Sequence, residues 1–362
     1  MKNKINYHPG CPVLELTLKC NLRCIHCGSS AGMKGQNELT TKGFLTVCRD
    51  LADLGTGGVA LMGGEVLLRE DWYEISKEIK DLGMLLSIVT NGYFNPDKII
   101  PKFKKLEVDS ITVGLDGLKE THNHIRGYPD AFDKTLRFID ECNKEGLDVC
   151  PITTFHKMNF KEFFDIRELV VAERGLDWHV NVASLIGRFP KSLLLSREEY
   201  YELALLIAAS QKKYSKEKVI AGHNIGFHSQ FIPHLSLFPE WDGCHAGKRA
   251  LGIKNNGDVN GCLPLPEKFT EGNVRERSII DIWNDPNSFS YNRQFKEEDL
   301  GGYCAECKYR LSCKGGCTLN SATLTGKPHN DLYCLYRIEQ EVFGRSVEEK
   351  IQEIMDKYSI DL

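Results

Sequence analysis

No apolar run in this 362-residue chain is long enough to cross a bilayer. Its first twenty residues, MKNKINYHPGCPVLELTLKC, are charged and then broken by Pro9, Gly10 and Pro12, so they contain no signal-peptide core. These absences argue against membrane-spanning and secreted classes and lead us to expect a cytoplasmic location with no membrane partner. Long basic runs are missing too, and a net charge of −4 gives no reason to expect nucleic acid as a partner. There are no internal repeats and no low-complexity tracts. What remains, 41% hydrophobic and 27% charged residues, is the composition of an ordinary soluble globular protein.

Against that background the cysteines stand out. Fourteen is many for a reducing compartment, where disulfides do not persist. Cys20, Cys24 and Cys27 cluster near the start, and Cys244, Cys262, Cys304, Cys307, Cys313, Cys317 and Cys334 crowd the last third. Cytosolic thiols grouped in this way point to metal binding. Cys48 and Cys142 fall on apolar helix faces and Cys150 in an apolar strand, where a thiol behaves as a small hydrophobe. Cys11 has no evident place in either group.

A chain of this length exceeds one compact core, which suggests a large domain and a smaller one. From Val13 to Ser184, strand-like runs (VLELTL, GVALMG, LLSIVTNG, SITVGLDG, DVCPITTF and WHVNVAS) alternate with helical ones. Trp72, Ile75, Ile79 and Leu82 recur at helical spacing before a stop at Gly83. Strand–helix units with near-continuous apolar strands predict a parallel sheet covered by helices. Six such units suit a partial (β/α)6 TIM-like barrel, an α/β fold whose chemistry lies at the C-terminal strand ends. The helical stretch REEYYELALLIAASQ follows, and the lysine-rich KKYSKEK then reads as a linker. Beyond it the chain turns Gly-, Pro- and Cys-rich, as in a small fold held by metal. The expected division is 1–212 for the barrel, 213–240 for a linker, 241–340 for a small Cys-rich domain and 341–362 for a C-terminal helix.

Three thiolates on a short loop after the first strand can hold three corners of a 4Fe–4S cube, which leaves one iron open. A structural zinc site would need a fourth ligand, and the one nearby candidate, His26, is adjacent to Cys27.

C-x3-C-x2-C directly after a first strand resembles the radical S-adenosylmethionine (SAM) enzymes. In that family the open iron is chelated by SAM, and reductive cleavage yields a 5′-deoxyadenosyl radical. Three further stretches carry the resemblance. LMGGEVLL ends the second strand, so Gly63, Gly64 and Glu65 match the family's GGE, which binds the SAM amino group. Two glycines allow close backbone approach, and a carboxylate pairs with an ammonium; the Pro that usually follows is Val66 here. VTNG ends the third strand, so Thr90 and Asn91 match polar contacts to the ribose and carboxylate. GLDGLKETHNHIRG resembles a further motif and makes Asp116 and Arg126 site candidates, Arg126 as a carboxylate clamp. His26 stands where relatives contact adenine.

In the last third, C-x12-G-x4-C from Cys244 to Cys262 is followed by CAECKYRLSCKGGC and then Cys334. This resembles the SPASM extension of radical SAM enzymes, which carries up to two auxiliary Fe–S clusters. The family's interleaved pattern assigns Cys304, Cys307, Cys313 and Cys334 to one cluster and Cys244, Cys262 and Cys317 to the other. Two full sets need eight thiolates, so the second cluster has either an open iron or a non-Cys ligand such as His245 or Asp242. A zinc-binding domain is the rival explanation, because C-x2-C pairs are typical of it as well.

The resemblance implies an oxidoreductase that abstracts hydrogen from a peptide or protein side chain and passes an electron to an auxiliary cluster. The outcome would be a crosslink, a thioether or an oxidation in ribosomal peptide maturation. Its cofactors would be 4Fe–4S clusters and SAM. Its partners would be the substrate peptide, bound through a separate peptide-recognition protein or directly by the barrel rim, and a donor such as flavodoxin or ferredoxin. The alternative is the same chemistry on a small molecule, such as oxidative decarboxylation in porphyrin synthesis. A non-catalytic zinc or Fe–S scaffold is the reading from another class. Sulfatase maturases place an aspartate base directly after the second SPASM cysteine, and Leu263 stands there in this chain. The histidines His223, His228 and His234 could line the substrate cavity or carry protons, but such spread histidines read first as ordinary packing or surface residues.

Overall fold

The computed structural model describes residues 7–237 and 241–362. They form two compact units, each assembled from separated stretches of chain. The first comprises Met1–Val113, Asp133–Val149 and His245–Phe295, and the second Gly114–Phe132, Cys150–Cys244 and Lys296–Leu362.

The first unit is built on β1 (Val13–Glu15), β2 (Gly58–Met62), β3 (Leu85–Thr90) and β4 (Ser110–Gly114), paired in parallel in that order. Their inward side chains, among them Leu14, Val59, Leu61, Leu86, Ile88 and Ile111, are fully withdrawn from water. That is why these strands are apolar with little alternation. Helices α1 (Thr41–Asp53), α2 (Trp72–Asp81) and α3 (Pro96–Leu106) connect the strands. The predicted face of α2 is buried through Trp72, Ile75 and Ile79, and Gly83 follows with φ 77°. Cys48 lies buried in α1 beside Phe44 and Leu51.

The same unit recruits a distant part of the chain. Strand β8 (Gly252–Ile253) pairs in parallel with the outer side of β1 and continues antiparallel through β9 (Asp258–Asn260) to β10 (Thr270–Asn273). Glu15 anchors the hairpin by accepting Asn255 Nδ2 at 2.6 Å.

In the second unit β5 (Val149–Phe155), β6 (Trp178–Val182) and β7 (Val219–Ala221) pair in parallel. Helices α4 (Lys119–Arg126), α6 (Phe163–Arg167) and α7 (Arg197–Tyr214) belong here, while α5 (Ala131–Lys144) lies mostly in the first unit and buries Cys142. Helix α7 opens with a capping box in which Ser196 and Glu199 satisfy each other's backbone N–H groups. β7 was not expected: it lies in the stretch read as linker, directly after the lysine-rich segment. A helix, Val347–Tyr358, lies near the end of the chain. No described helix is long and apolar enough to cross a membrane.

Candidate active site

After β1 the chain leaves the sheet through Leu16–Lys19 and enters the loop that carries Cys20, Cys24 and Cys27. The base of this loop is pinned by backbone bonds: Gly32 N–H donates to Leu18 O at 2.7 Å and Cys20 N–H to Gly32 O at 3.1 Å. Two of the three thiols already receive backbone donors, Leu22 N–H at Cys20 Sγ (3.4 Å) and Ala31 N–H at Cys27 Sγ (3.3 Å). Burial, and then the nearby Glu65 carboxylate and neighbouring thiols, pushes Cys20 up to about 11. A thiolate there needs a compensating positive charge.

The end of β2 lies directly against this loop. A Cβ on Gly63 would stand 2.5 Å from Thr17 O, and one on Gly64 2.6 Å from Lys19 O. Gly64 and Glu65 also donate their N–H groups to Thr17 O and Lys19 O, at 2.7 and 2.8 Å. The two glycines are therefore required by backbone-to-backbone contact inside the protein. Glu65 is buried and gathers three donors: Leu67 N–H (3.1 Å), Thr90 Oγ1 (2.9 Å) and Asn91 N–H (2.8 Å). Its bond to Leu67 caps the short turn Val66–Leu68, which supplies the stiffness a proline would have given. Asn91 in turn donates Nδ2 to Asn21 Oδ1 at 2.7 Å and approaches Cys20 Sγ at 3.9 Å. The ends of β1, β2 and β3 thus bring Cys20, Gly63, Gly64, Glu65, Thr90 and Asn91 into one hydrogen-bonded cluster. His26, half-buried, lies on the same loop.

Asp116 and Arg126 fall in the second unit and are committed to each other. Arg126 Nη2 lies 2.6 Å from Asp116 Oδ2, with both side chains nearly buried. Asp116 also accepts Thr154 N–H at 3.0 Å. The guanidinium expected to clamp a ligand carboxylate has a protein carboxylate beside it.

Further along the second unit, Cys304, Cys307, Cys313 and Cys334 all line one small cavity. Tyr303, Tyr309, Tyr336 and His228 wall it, and His228 lies flat on Tyr309 with ring centroids 4.3 Å apart and planes 7° apart. Burial pushes the Cys304 thiol to about 11 and Cys313 to about 12, and raises Cys334 well above its ordinary value. Four thiols around one cavity suit a cluster. Among the described residues no three His, Cys, Asp or Glu side chains converge as ligands of a single ion. Cys317 does not line the cavity, although it packs against the same core. Its N–H donates at 2.9 Å to the fully buried Asp331, which does line the cavity. Cys244 belongs to the second unit and Cys262 to the first. Leu263, where a sulfatase maturase would have its base, is buried against Gly252.

Sequence reasoning missed Glu38, Asn21 and Asp331, the polar groups that hold the cysteine segments. Glu38 and Asp331 stand outside the cysteine motifs and Asn21 is an unspecified position within C-x3-C, so each is identified only by its partners in the fold. His228, for which the residues alone leave cavity lining and ordinary packing both open, does both: its ring stacks on Tyr309 and forms part of the cavity wall.

Residues 14–170 match the radical SAM superfamily, and residues 244–308 match SPASM, described as an iron–sulfur cluster-binding domain. An AdoMet-dependent heme synthase of Methanosarcina barkeri is 30% identical over 337 residues, covering 89% of this chain and 95% of that protein. A mycofactocin maturase of Mycolicibacterium smegmatis is 24% identical over 336 residues, covering 88% of this chain and 80% of that protein. Among solved structures, Streptococcus suis SuiB bound to its precursor peptide SuiA superposes with a TM-score of 0.73 at 19% identity. That match covers 91% of this chain and 76% of SuiB and shows a shared α/β fold. With a 30% identical relative spanning nearly its whole length, the chain belongs to the radical SAM superfamily, in the branch that carries a SPASM iron–sulfur cluster-binding domain.

Proposed function

We propose that the protein is an oxidoreductase that abstracts hydrogen from a peptide or protein side chain and passes the resulting electron to an auxiliary cluster. One observation carries this reading: Glu65, Thr90 and Asn91, from two strand ends, are hydrogen-bonded to one another and to the loop of the three N-terminal cysteines. Cys20, Cys24 and Cys27 would hold a 4Fe–4S cluster with one open iron, which together with SAM supplies a 5′-deoxyadenosyl radical. Gly63, Gly64 and Glu65 would receive the SAM ammonium, the carboxylate being already oriented by its three donors. Thr90 and Asn91 would meet the ribose and carboxylate, and His26 the adenine. Asp116 and Arg126 would act as an internally paired unit, since a buried ion pair is costly to split. Cys304, Cys307, Cys313 and Cys334 would hold one auxiliary cluster in the aromatic-walled cavity, and Cys244, Cys262 and Cys317 the other. The barrel at 1–212, a bridging segment at 213–240, the SPASM domain at 241–340 and a closing helix at 341–362 form the corresponding division by sequence. The reductant would be a flavodoxin or ferredoxin, and a separate recognition protein would present the peptide.

The peptide class is supported by the similarity to a mycofactocin maturase and by the likeness to SuiB in complex with a precursor peptide. A second substrate class, a tetrapyrrole side chain, is favoured by the higher identity and fuller coverage of the heme synthase. The test is anaerobic reconstitution, reduction and incubation with SAM, with either a candidate precursor peptide or an iron-porphyrin precursor. Formation of 5′-deoxyadenosine supports the enzyme reading, and its absence from correctly loaded protein would refute it. Mass loss confined to the peptide, or to the tetrapyrrole, decides the substrate class.

A further inference from the structure

The three N-terminal cysteines sit on a loop that starts at Leu18 and rejoins the fold at Gly35, and one buried carboxylate holds both ends. Glu38 Oε1 accepts the Thr17 hydroxyl at 2.8 Å, the Leu18 N–H at 2.9 Å and the Gly35 N–H at 2.9 Å. Its side chain is 3% exposed, and its other oxygen faces Arg69 Nη1 at 3.9 Å. Arg69 extends the clamp by donating to Leu16 O at 2.7 Å and Leu39 O at 2.9 Å while pairing with Asp71. The residue after Glu38 is fixed as well, Leu39 N–H reaching Asn255 O at 2.7 Å.

Every group around Glu38 is a donor, so an ionised carboxylate suits the position and a neutral or cationic side chain does not. Removing it would leave buried donors at the exit of the strand and at the return of the loop, each costly when unsatisfied. The chain between those points carries the thiols, and the Leu18–Gly32 and Cys20–Gly32 backbone bonds alone would then close it. A loop closed at both levels presents its sulfur ligands already ordered, which lowers what cluster binding must spend on organising them.

We propose that Glu38 is a positioning residue for the N-terminal cluster: a carboxylate staple that sets the spacing of Cys20, Cys24 and Cys27 without touching iron or SAM. This rests on the radical SAM reading of those cysteines. In the reconstituted full-length protein, Glu38→Ala should keep its helix content and lose about four irons per chain, one cube's worth. The electron paramagnetic resonance change that SAM induces in the wild type should disappear with them. Glu38→Gln keeps one acceptor oxygen but turns an NH2 group toward donors, so it should lose part of that iron and show a weakened SAM response. Glu38→Ala with the full iron count and the wild-type SAM response would overturn the proposal. Should Glu38→Ala not fold, Glu38→Gln decides: loss of N-terminal iron together with a weakened SAM response, the auxiliary iron remaining, supports the staple, and the wild-type iron count with the wild-type SAM response refutes it. Wild-type protein that assembles clusters without any response to SAM would instead overturn the functional reading.

Discussion

At the scale of single residues, the chemistry depends on thiols that burial keeps protonated. Cys20 is pushed up to about 11, so ligation must exchange its proton for the field of iron. Cys20→Ala should therefore abolish both the SAM-dependent spectral change and 5′-deoxyadenosine formation, measured by electron paramagnetic resonance and liquid chromatography, while the auxiliary iron remains. A different residue governs acid stability. Burial, followed by the charge of His223, lowers His179 from 6.5 to about 4. The folded state thus resists a proton that the unfolded chain accepts, so this contribution is present above pH 6.5 and is lost as pH falls through about 4. In urea titrations across that window, His179→Asn should flatten the acid limb relative to wild type. Cys48 and Cys142 are buried as their apolar helical spacing implied, whereas Cys150 is half-buried, since alternate residues of β5 face opposite sides.

At the scale of elements, the ends of three parallel strands do the positioning, and backbone contact sets the tolerance. With Lys19 O and Leu18 O 2.6 and 2.7 Å from where a Cβ would stand, Gly64→Ala must push β2 away from the cysteine loop. A loss of about 2–4 kcal/mol in urea unfolding is expected, together with weaker iron retention. Helix α7 is different: ten of its side chains are buried, and its start is held by the Ser196–Glu199 box. Ser196→Ala should cost about 1 kcal/mol in the same assay. β7 escaped sequence reading because a three-residue strand is too short for a period-two pattern, and the preceding lysines resemble a surface loop. Only the pairing of Trp178 with Val219 and of Val180 with Ala221 makes it a strand.

At the scale of the whole molecule, compactness does not follow the order of the chain. Residues His245–Phe295 belong with the N-terminal strands through the β1–β8 pairing, the Glu15–Asn255 bond, and the capping of the Ile279 N–H by Asp50 at 3.1 Å. A truncation after residue 240 would leave Glu15 buried without that partner, so the fragment should fail to give a cooperative melt by circular dichroism. The four-cysteine cavity offers a complementary dissection. Cys334→Ala should remove about four irons yet leave 5′-deoxyadenosine formation intact, with substrate product falling sharply. Equal loss of both products would remove the division of labour between the two cysteine groups.

The sequence alone determined the strand–helix alternation up to Ser184, the burial of α2's face and the grouping of ten cysteines. Each of these rests on short-range periodicity or spacing that a linear chain displays. Tertiary structure decided that Glu38 closes the cysteine loop, that Arg126 is paired with Asp116, and that a distant hairpin extends the first sheet. The physical reason is that a buried charge or an edge strand acquires meaning only from its partner, and the partners here lie at no fixed spacing, from 3 residues away for Glu38 and Gly35 to 240 for Glu15 and Asn255.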